Sequence, residues 1–405
     1  MEKYIKAPSR KSTKRLIIDA SLGVLLFVAC VYLFYHQAIW SSPTSPFPSD
    51  LSDHIRNVGM GHGYSLNAFF LGLILQHVPN PPVGIAIFEA ALVVATWVAS
   101  TCFIKKFFGK NIDYPELVAL PLLFLTSCYL PLGEIGYYRN SLITQPWHNI
   151  TYIGMRLFAI LTMHFFVEVL QKPGNKMPTV REWLLISILL AIATSIKPNF
   201  LLTFGLTLAI YIAVKFGLDV YHGDDLADAI KSAFAMGSVV IPSLIILKIQ
   251  SQELYGTPDQ TGQESGLVLQ FIESRFFADG ILTAAIKTVF ALAFPVLLLF
   301  IQRKNAADVD RFFFWHYLAA LAIVIVLAET GPRAAHGNFS WGLYNAAYLL
   351  YLWFAPWFVV SCKQQFAESG RIGGLSVGCA VLLGCQYFSG LQYFLLLLSG
   401  QAYLY

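Results

Sequence analysis

Residues 183–216 read WLLISILLAIATSIKPNFLLTFGLTLAIYIAVKF, two apolar arms joined by Lys197-Pro198-Asn199. A helix rises about 1.5 Å per residue and a bilayer's hydrocarbon core is roughly 30 Å thick, so the first arm, 183–196, reaches only about 21 Å. It cannot cross the layer alone. Its tip stops inside, and the residues at that tip are a lysine and a proline. A cation at membrane depth is costly and is kept where it faces a protein interior or a watery cavity, and proline frees backbone groups in the same place. Lys197 therefore marks a polar hollow in an apolar bundle, with snorkelling of its side chain to the headgroups as the structural alternative.

The rest of the chain has the same solvent. Of 405 residues, 57% are hydrophobic, 15% aromatic and only 12% charged, the last about half the roughly 25% of a soluble domain. With a mean hydropathy of +0.61, this excludes a disordered chain and a water-soluble globule, because too little polar surface exists to clothe the apolar mass. Runs long enough to span recur near residues 16–39, 82–104, 114–131, 150–170, 232–248, 281–302, 312–328, 343–362 and 372–389. Residues 64–78, punctuated by Asn80-Pro81-Pro82, read as an interfacial or re-entrant helix, and 390–405 as a final partial span or a surface helix. The expected fold class is all-α, a polytopic integral membrane helical bundle of about 10–12 spans with short re-entrant or interfacial helices. It comprises a basic segment, 1–15, and one membrane domain, 16–405, with outer-face loops 40–63, 132–149, 249–280 and 329–342.

The basic residues set the expected orientation. With a cytoplasmic N-terminus, the inner segments hold nineteen of the 27 Lys and Arg, beginning with Lys3, Lys6, Arg10, Lys11, Lys14 and Arg15. That satisfies the positive-inside rule at every inner loop and suits a bacterial plasma membrane. The net charge of +4 is scattered rather than gathered into a patch, so membrane lipid is an expected partner and nucleic acid is not. The six cysteines, without a CxxC pair, read as core packing.

Unusual polar residues collect in the outer segments. After Ser49, which can cap a short helix, Asp50, Asp53 and His54 stand at i, i+3 and i+4 on one face, with Arg56 following. Such a trio can take a proton from a hydroxyl, or Asp50 and Asp53 can hold a divalent cation such as Mg or Mn. The plain alternative is a solvated loop helix. The second loop carries Arg139, Trp147, His148 and Asn149, then Arg156 within the next helix. Stacking, directional hydrogen bonds and charge there suit a hydroxyl-rich or phosphorylated ligand. An aromatic belt accounts equally for Trp147 but not for Arg156. The third loop repeats the theme with Arg333, His336, Asn338 and Trp341, cations for a phosphate and groups for a sugar or polar headgroup. The chain carries no Walker loop, no HExxH, no credible GxSxG and no dinucleotide fingerprint.

A basic N-terminus, one span, an outer loop opening with Asp50, Asp53 and His54, many further spans and the Lys197-Pro198 break resemble the GT-C glycosyltransferase superfamily. The resemblance implies an enzyme of the hexosyltransferase type that takes a sugar from a polyprenyl-phosphate-linked donor and passes it to a glycan, lipid or other acceptor at the outer face. It makes Asp50 and Asp53 the candidate base and its partner. It sets Arg156, Lys197, Arg333 and His336 on the lipid phosphate. Two other readings remain at this stage: a polysaccharide polymerase or ligase acting on lipid-linked glycans, and a secondary transporter with a midplane site at Lys197.

Overall fold

A computed structural model of the chain describes residues 13–40, 46–61, 63, 65–126, 147–172, 177–223, 225–255, 265–271, 277, 280–333 and 337–401. Among them the helices are α1 (Thr13–Ile39), α2 (Leu51–Gly59), α3 (Leu66–His77), α4 (Pro81–Phe108), α5 (Pro115–Leu122), α6 (Ile150–Leu170), α7 (Val180–Ile196), α8 (Asn199–His222), α9 (Leu226–Gly237), α10 (Ile241–Tyr255), α11 (Ile281–Ile301), α12 (Asp308–Val326), α13 (Ser340–Ser369) and α14 (Gly374–Leu398). Two short strands, β1 (Gly266–Leu269) and β2 (Leu327–Thr330), pair antiparallel with Gly266 opposite Thr330. Nine helical segments among the described residues are long and apolar enough to cross a membrane, α9 and α10 counting as one through a 3₁₀ turn at Ser238–Val240. The chain is an all-α, multi-pass integral membrane protein.

The elements begin and end where local chemistry dictates. Asn80 accepts the Val83 N–H and is followed by Pro81-Pro82, whose missing donors are harmless in a first turn, so α4 starts there. Thr179 and Glu182 close a capping box on α7. That helix ends after 17 residues, about 25 Å at 1.5 Å per residue. Pro198 disfavours helical geometry in the residue before it, and Lys197 is extended at φ −156°, ψ 122°. The first arm is thus short, as its sequence requires, and α8 turns back from its tip.

At the centre lies α13, whose most apolar stretch is nearly all buried, whereas α1 buries less than a fifth of its own. α13 packs against α4, α5, α6, α8, α11 and α12, while α1 lies outside against α4. At one end of this core, Trp353 stacks on Phe313 at 5.3 Å and donates its indole N–H to Asp310 at 2.6 Å.

Three expectations change. The run at 114–131 forms only α5 among its described residues, a helix interrupted by Pro121, and residues 127–131 lie outside the described residues. The stretch from Gly390 is not a separate element, because α14 continues unbroken to Leu398. The loop 249–280 contributes the end of α10 and a strand, whose partner lies some sixty residues away in sequence.

Gly390 explains how α14 reaches the bundle. A Cβ at that position would sit 1.3 Å from the Phe124 carbonyl oxygen, so only glycine permits the approach. Gly390→Ala must push the helix off the segment that follows α5, an overpacking penalty of roughly 1–3 kcal/mol or more. The expected result is a melting temperature in detergent lower by several degrees, read by intrinsic fluorescence. An unchanged melting temperature would refute the contact.

Candidate functional site

The end of the bundle where α6 and α13 begin and α7 stops holds a cavity of about 730 Å³, within the range of ligand sites. Among the segments that build it, four far apart in the chain carry the groups described next. The first is the turn into α2. Ser49 does not cap in the expected way: its Oγ accepts the Leu51 N–H at 2.9 Å, and Asp50 occupies the cap position with its side chain directed elsewhere. The Asp50 backbone N–H donates to the His148 carbonyl at 3.0 Å, which clamps the segment after α1 to the one before α6.

The second segment is the start of α6. Asn149 caps that helix through its side-chain oxygen, which accepts from the Tyr152 N–H at 2.8 Å and from the Thr151 hydroxyl at 2.6 Å. Its amide nitrogen is thereby aimed outward and donates to Asp50 Oδ2. His54 Nε2 stands 3.5 Å from the same oxygen. Asp50 Oδ1 is shielded from solvent and accepts no hydrogen bond, an arrangement that costs free energy unless a ligand completes it. Burial pushes the Asp50 carboxyl up. The hydrogen bond with His54, and then the charges of His54, His148 and Lys197, outweigh it and hold the group below its ordinary value.

The third segment is the Lys197 break. Its ammonium donates to the Thr151 hydroxyl at 3.2 Å and lies 5.6 Å from the centre of the Trp341 ring. The other face of this environment is His148, stacked with Trp341 at 6.2 Å and 7°. Lys197 therefore sits on an aromatic and hydroxyl platform, with Asp50 as a charge partner across the cavity.

The fourth segment runs from β2 to α13. Glu329 accepts from Arg333 Nε at 2.8 Å, from Asn338 Nδ2 at 2.5 Å and from the Tyr255 hydroxyl at 3.0 Å. Asn199, beside Lys197, donates to the Asn338 carbonyl at 2.7 Å. α13 comes close enough to α8 for this because residue 342 is glycine, where a Cβ would meet Thr203 Cγ2 at 2.9 Å. Glu329→Gln removes the charge that fixes Arg333, a charge-assisted bond worth roughly 1.5–3 kcal/mol. The expected result is a several-fold weaker binding of a phosphorylated ligand, measured by titration. Unchanged binding would show that Glu329 does not set Arg333.

The cavity gathers Asp50, Asp53, His54, His148, Asn149, Lys197, Arg333, Asn338 and Trp341 from the residues that the sequence singles out. It does not gather the others. Asp53 is on the rim, but its carboxylate turns to Arg56 at 2.9 Å and both side chains are more than half exposed, so Arg56 forms a surface pair and lines no wall. Trp147 is buried between Phe124 and Phe394 and belongs to the core. Arg156 is seven residues into α6, about 10 Å below Asn149. It is wholly buried against the Tyr152 and Tyr348 rings at 5.3 and 4.8 Å, and its guanidinium finds no hydrogen-bond partner. Arg139 and His336 lie outside the described residues.

The lining also includes residues outside the expected set, among them Thr151, Lys248, Tyr255 and Glu329. Only Glu329 carried a signal, four residues before Arg333 with opposite charge. As for a divalent cation, no three His, Cys, Asp or Glu side chains converge to hold one among the described residues. Asp50 and Asp53 do not share a ligand position, since Asp53 is committed to Arg56. The donor set therefore does not fit a two-carboxylate metal site. Chemically, the cavity offers an anchored carboxylate with one oxygen unmet, Asp50, and two fixed cations, Lys197 and Arg333, with aromatic and amide surfaces beside them.

No protein-family model and no curated protein matches the chain by sequence. Among solved structures, ArnT from Cupriavidus metallidurans bound to undecaprenyl phosphate aligns over 97% of this chain and 77% of its own length, at 10% identity and a TM-score of 0.50. The archaeal oligosaccharyltransferase AglB from Archaeoglobus fulgidus, in complex with an inhibitory peptide and a dolichol-phosphate, aligns over 96% of this chain and 56% of its own, at 11% identity and a TM-score of 0.46. The likeness to ArnT extends over nearly the whole chain, and the fold is GT-C-like.

Proposed function

We propose that the chain is a membrane glycosyltransferase of the hexosyl type, moving a sugar from a polyprenyl-phosphate-linked donor to a glycan, lipid or other hydroxyl acceptor. The observation that carries this reading is the pairing of Asp50 with Lys197 and Arg333 around one cavity, at the end of the bundle where the short α7 stops. Basic residues crowd the opposite end, which supports a cytoplasmic placing of that end and an outward-facing cavity, in keeping with a bacterial plasma membrane. The fold likeness to ArnT, a protein seen with undecaprenyl phosphate, supports a lipid-phosphate donor. So does the cavity wall formed by Leu244 and Leu247 of α10, a helix that exposes Ile241, Ile245 and Ile249 to its surroundings.

The chemistry is a single displacement. Asp50 takes the acceptor hydroxyl proton as the acceptor oxygen bonds to the anomeric carbon, while the bond from that carbon to the phosphate oxygen breaks. The electron pair leaves on the lipid phosphate, and Lys197 and Arg333 stabilise its growing charge. His54 and Asn149 orient the Asp50 carboxylate, and Trp341 with His148 provides a surface for a sugar ring to stack on.

The purified full chain in detergent, incubated with a panel of polyprenyl-phosphate sugars labelled in the sugar, tests this. Release of unglycosylated polyprenyl phosphate coupled to labelled acceptor is the expected result. Absence of both for every donor, with a correctly folded protein, would refute it.

A further inference from the structure

At the end of the bundle opposite Asp50, where α11 and α13 finish and α14 begins, a second cavity of about 740 Å³ opens. Arg303, Lys304 and Arg371 line it together with Phe300 and Leu375. All three cations are exposed and none forms an ion pair. Other cations at this end do: Lys363 meets Asp113 at 3.0 Å, Arg311 meets Asp308 at 3.7 Å and Lys106 meets Glu168 at 2.5 Å. The charge around this one hollow is thus unbalanced, and three like charges on one rim favour an anion from outside the chain.

The wall says what kind of anion. Phe300 is 58% exposed and Leu375 is 54% exposed, and along the same helices Val296 and Val381 are likewise exposed. Arg303 stands over the Phe300 ring at 5.5 Å, where the cationic rim meets the apolar face. Glu368, the penultimate residue of α13, does not line the hollow. A free anion would satisfy the rim and leave the apolar wall bare. A molecule with a phosphate and hydrocarbon chains satisfies both.

We propose that this hollow binds an anionic phospholipid of the leaflet at this end, its phosphate among Arg303, Lys304 and Arg371 and its chains along Phe300 and Leu375. The site is separate from the candidate transfer cavity and does not depend on sugar transfer. It ties three helix ends, α11, α13 and α14, through one ligand.

Native mass spectrometry of the full chain, released from detergent and titrated with phosphatidylglycerol or phosphatidylcholine of the same chain length, tests it. Phosphatidylglycerol should form adducts at a concentration about tenfold lower than phosphatidylcholine, and the double variant Arg303→Gln, Arg371→Gln should lose that preference by on the order of tenfold. Leu375→Glu, an exposed change that adds an anion to the rim, should cause the same loss, which guards against a folding defect in the double variant. The control Lys105→Gln, Lys110→Gln removes exposed cations at the same end outside the hollow and should keep the preference. Four results would each overturn the proposal: no preference in the unaltered chain, no loss in either rim variant, an equal loss in the control, or displacement of phosphatidylglycerol by millimolar inorganic phosphate.

Discussion

Asp50→Asn is expected to lower kcat for sugar transfer by about 10²–10⁴-fold, the usual contribution of a positioned general base. The donor KM should change little, because the proposed mechanism assigns the phosphate to Lys197 and Arg333 rather than to Asp50. Asparagine keeps the shape and can still accept from Asn149, and the His148–Asp50 backbone bond is untouched. The melting temperature should therefore stay within a few degrees, and the loss should be chemical. Asp53→Asn is the matched control: its carboxylate pairs with Arg56 in the open, and such pairs contribute about 1 kcal/mol or less. A kcat loss at Asp53 as large as at Asp50 would reverse the assignment of the base.

The pH profile carries an independent reading of the same group. Asp50 is held below its ordinary carboxylate value, which is about 3.9. A depressed value means that the basic form persists as pH falls, so activity is present above the folded-state value and is lost only on titrating through it. The acid limb of kcat/KM should lie below the ordinary carboxylate range. His54→Ala removes the hydrogen bond and the charge that oppose burial, so its limb should move up. A limb that stays put would place the titration elsewhere.

Lys197→Met carries the second large effect. The side chain keeps its reach and loses the charge that the proposed mechanism sets against the departing phosphate, and loss of one such stabilising group costs roughly 10²–10³ in kcat. The Trp341 ring and the Thr151 hydroxyl lose their partner, so a weaker donor KM accompanies the fall. Arg156→Met provides the contrast. That guanidinium lies outside the cavity against Tyr152 and Tyr348, and replacing an unpaired buried charge by an apolar side chain is often neutral or stabilising. Its kcat loss should be at least tenfold smaller than that of Lys197→Met. Equal losses would return Arg156 to the phosphate.

What the chain reveals unaided follows from the range of each interaction. The Lys197 break is legible because two local facts coincide, an arm too short to span and a proline that forces its predecessor out of the helix. Asp50 is legible as a carboxylate just after a span. Trp147 and His148 are adjacent in sequence and diverge in space, because the cap at Asn149 turns the chain between core and cavity. No local pattern distinguishes them. Arg156 misleads for the same reason: a cation in an apolar helix signals a polar environment, but which face it occupies depends on α13, nearly two hundred residues later. The β1–β2 pair and the Tyr255–Glu329 bond likewise join distant segments, and periodicity within either segment does not announce the other. The unpaired rim of Arg303, Lys304 and Arg371 reads in sequence as ordinary inner-loop charge. Only the fold sets those residues around one hollow.

A structure of the full chain with undecaprenyl phosphate tests the account most directly. The account predicts the phosphate in the cavity lined by Asp50, within about 4 Å of the Lys197 ammonium and the Arg333 guanidinium, with its prenyl chain leaving past Leu244. A phosphate seated elsewhere, with Lys197 still bound only to Thr151 and Trp341, would contradict it.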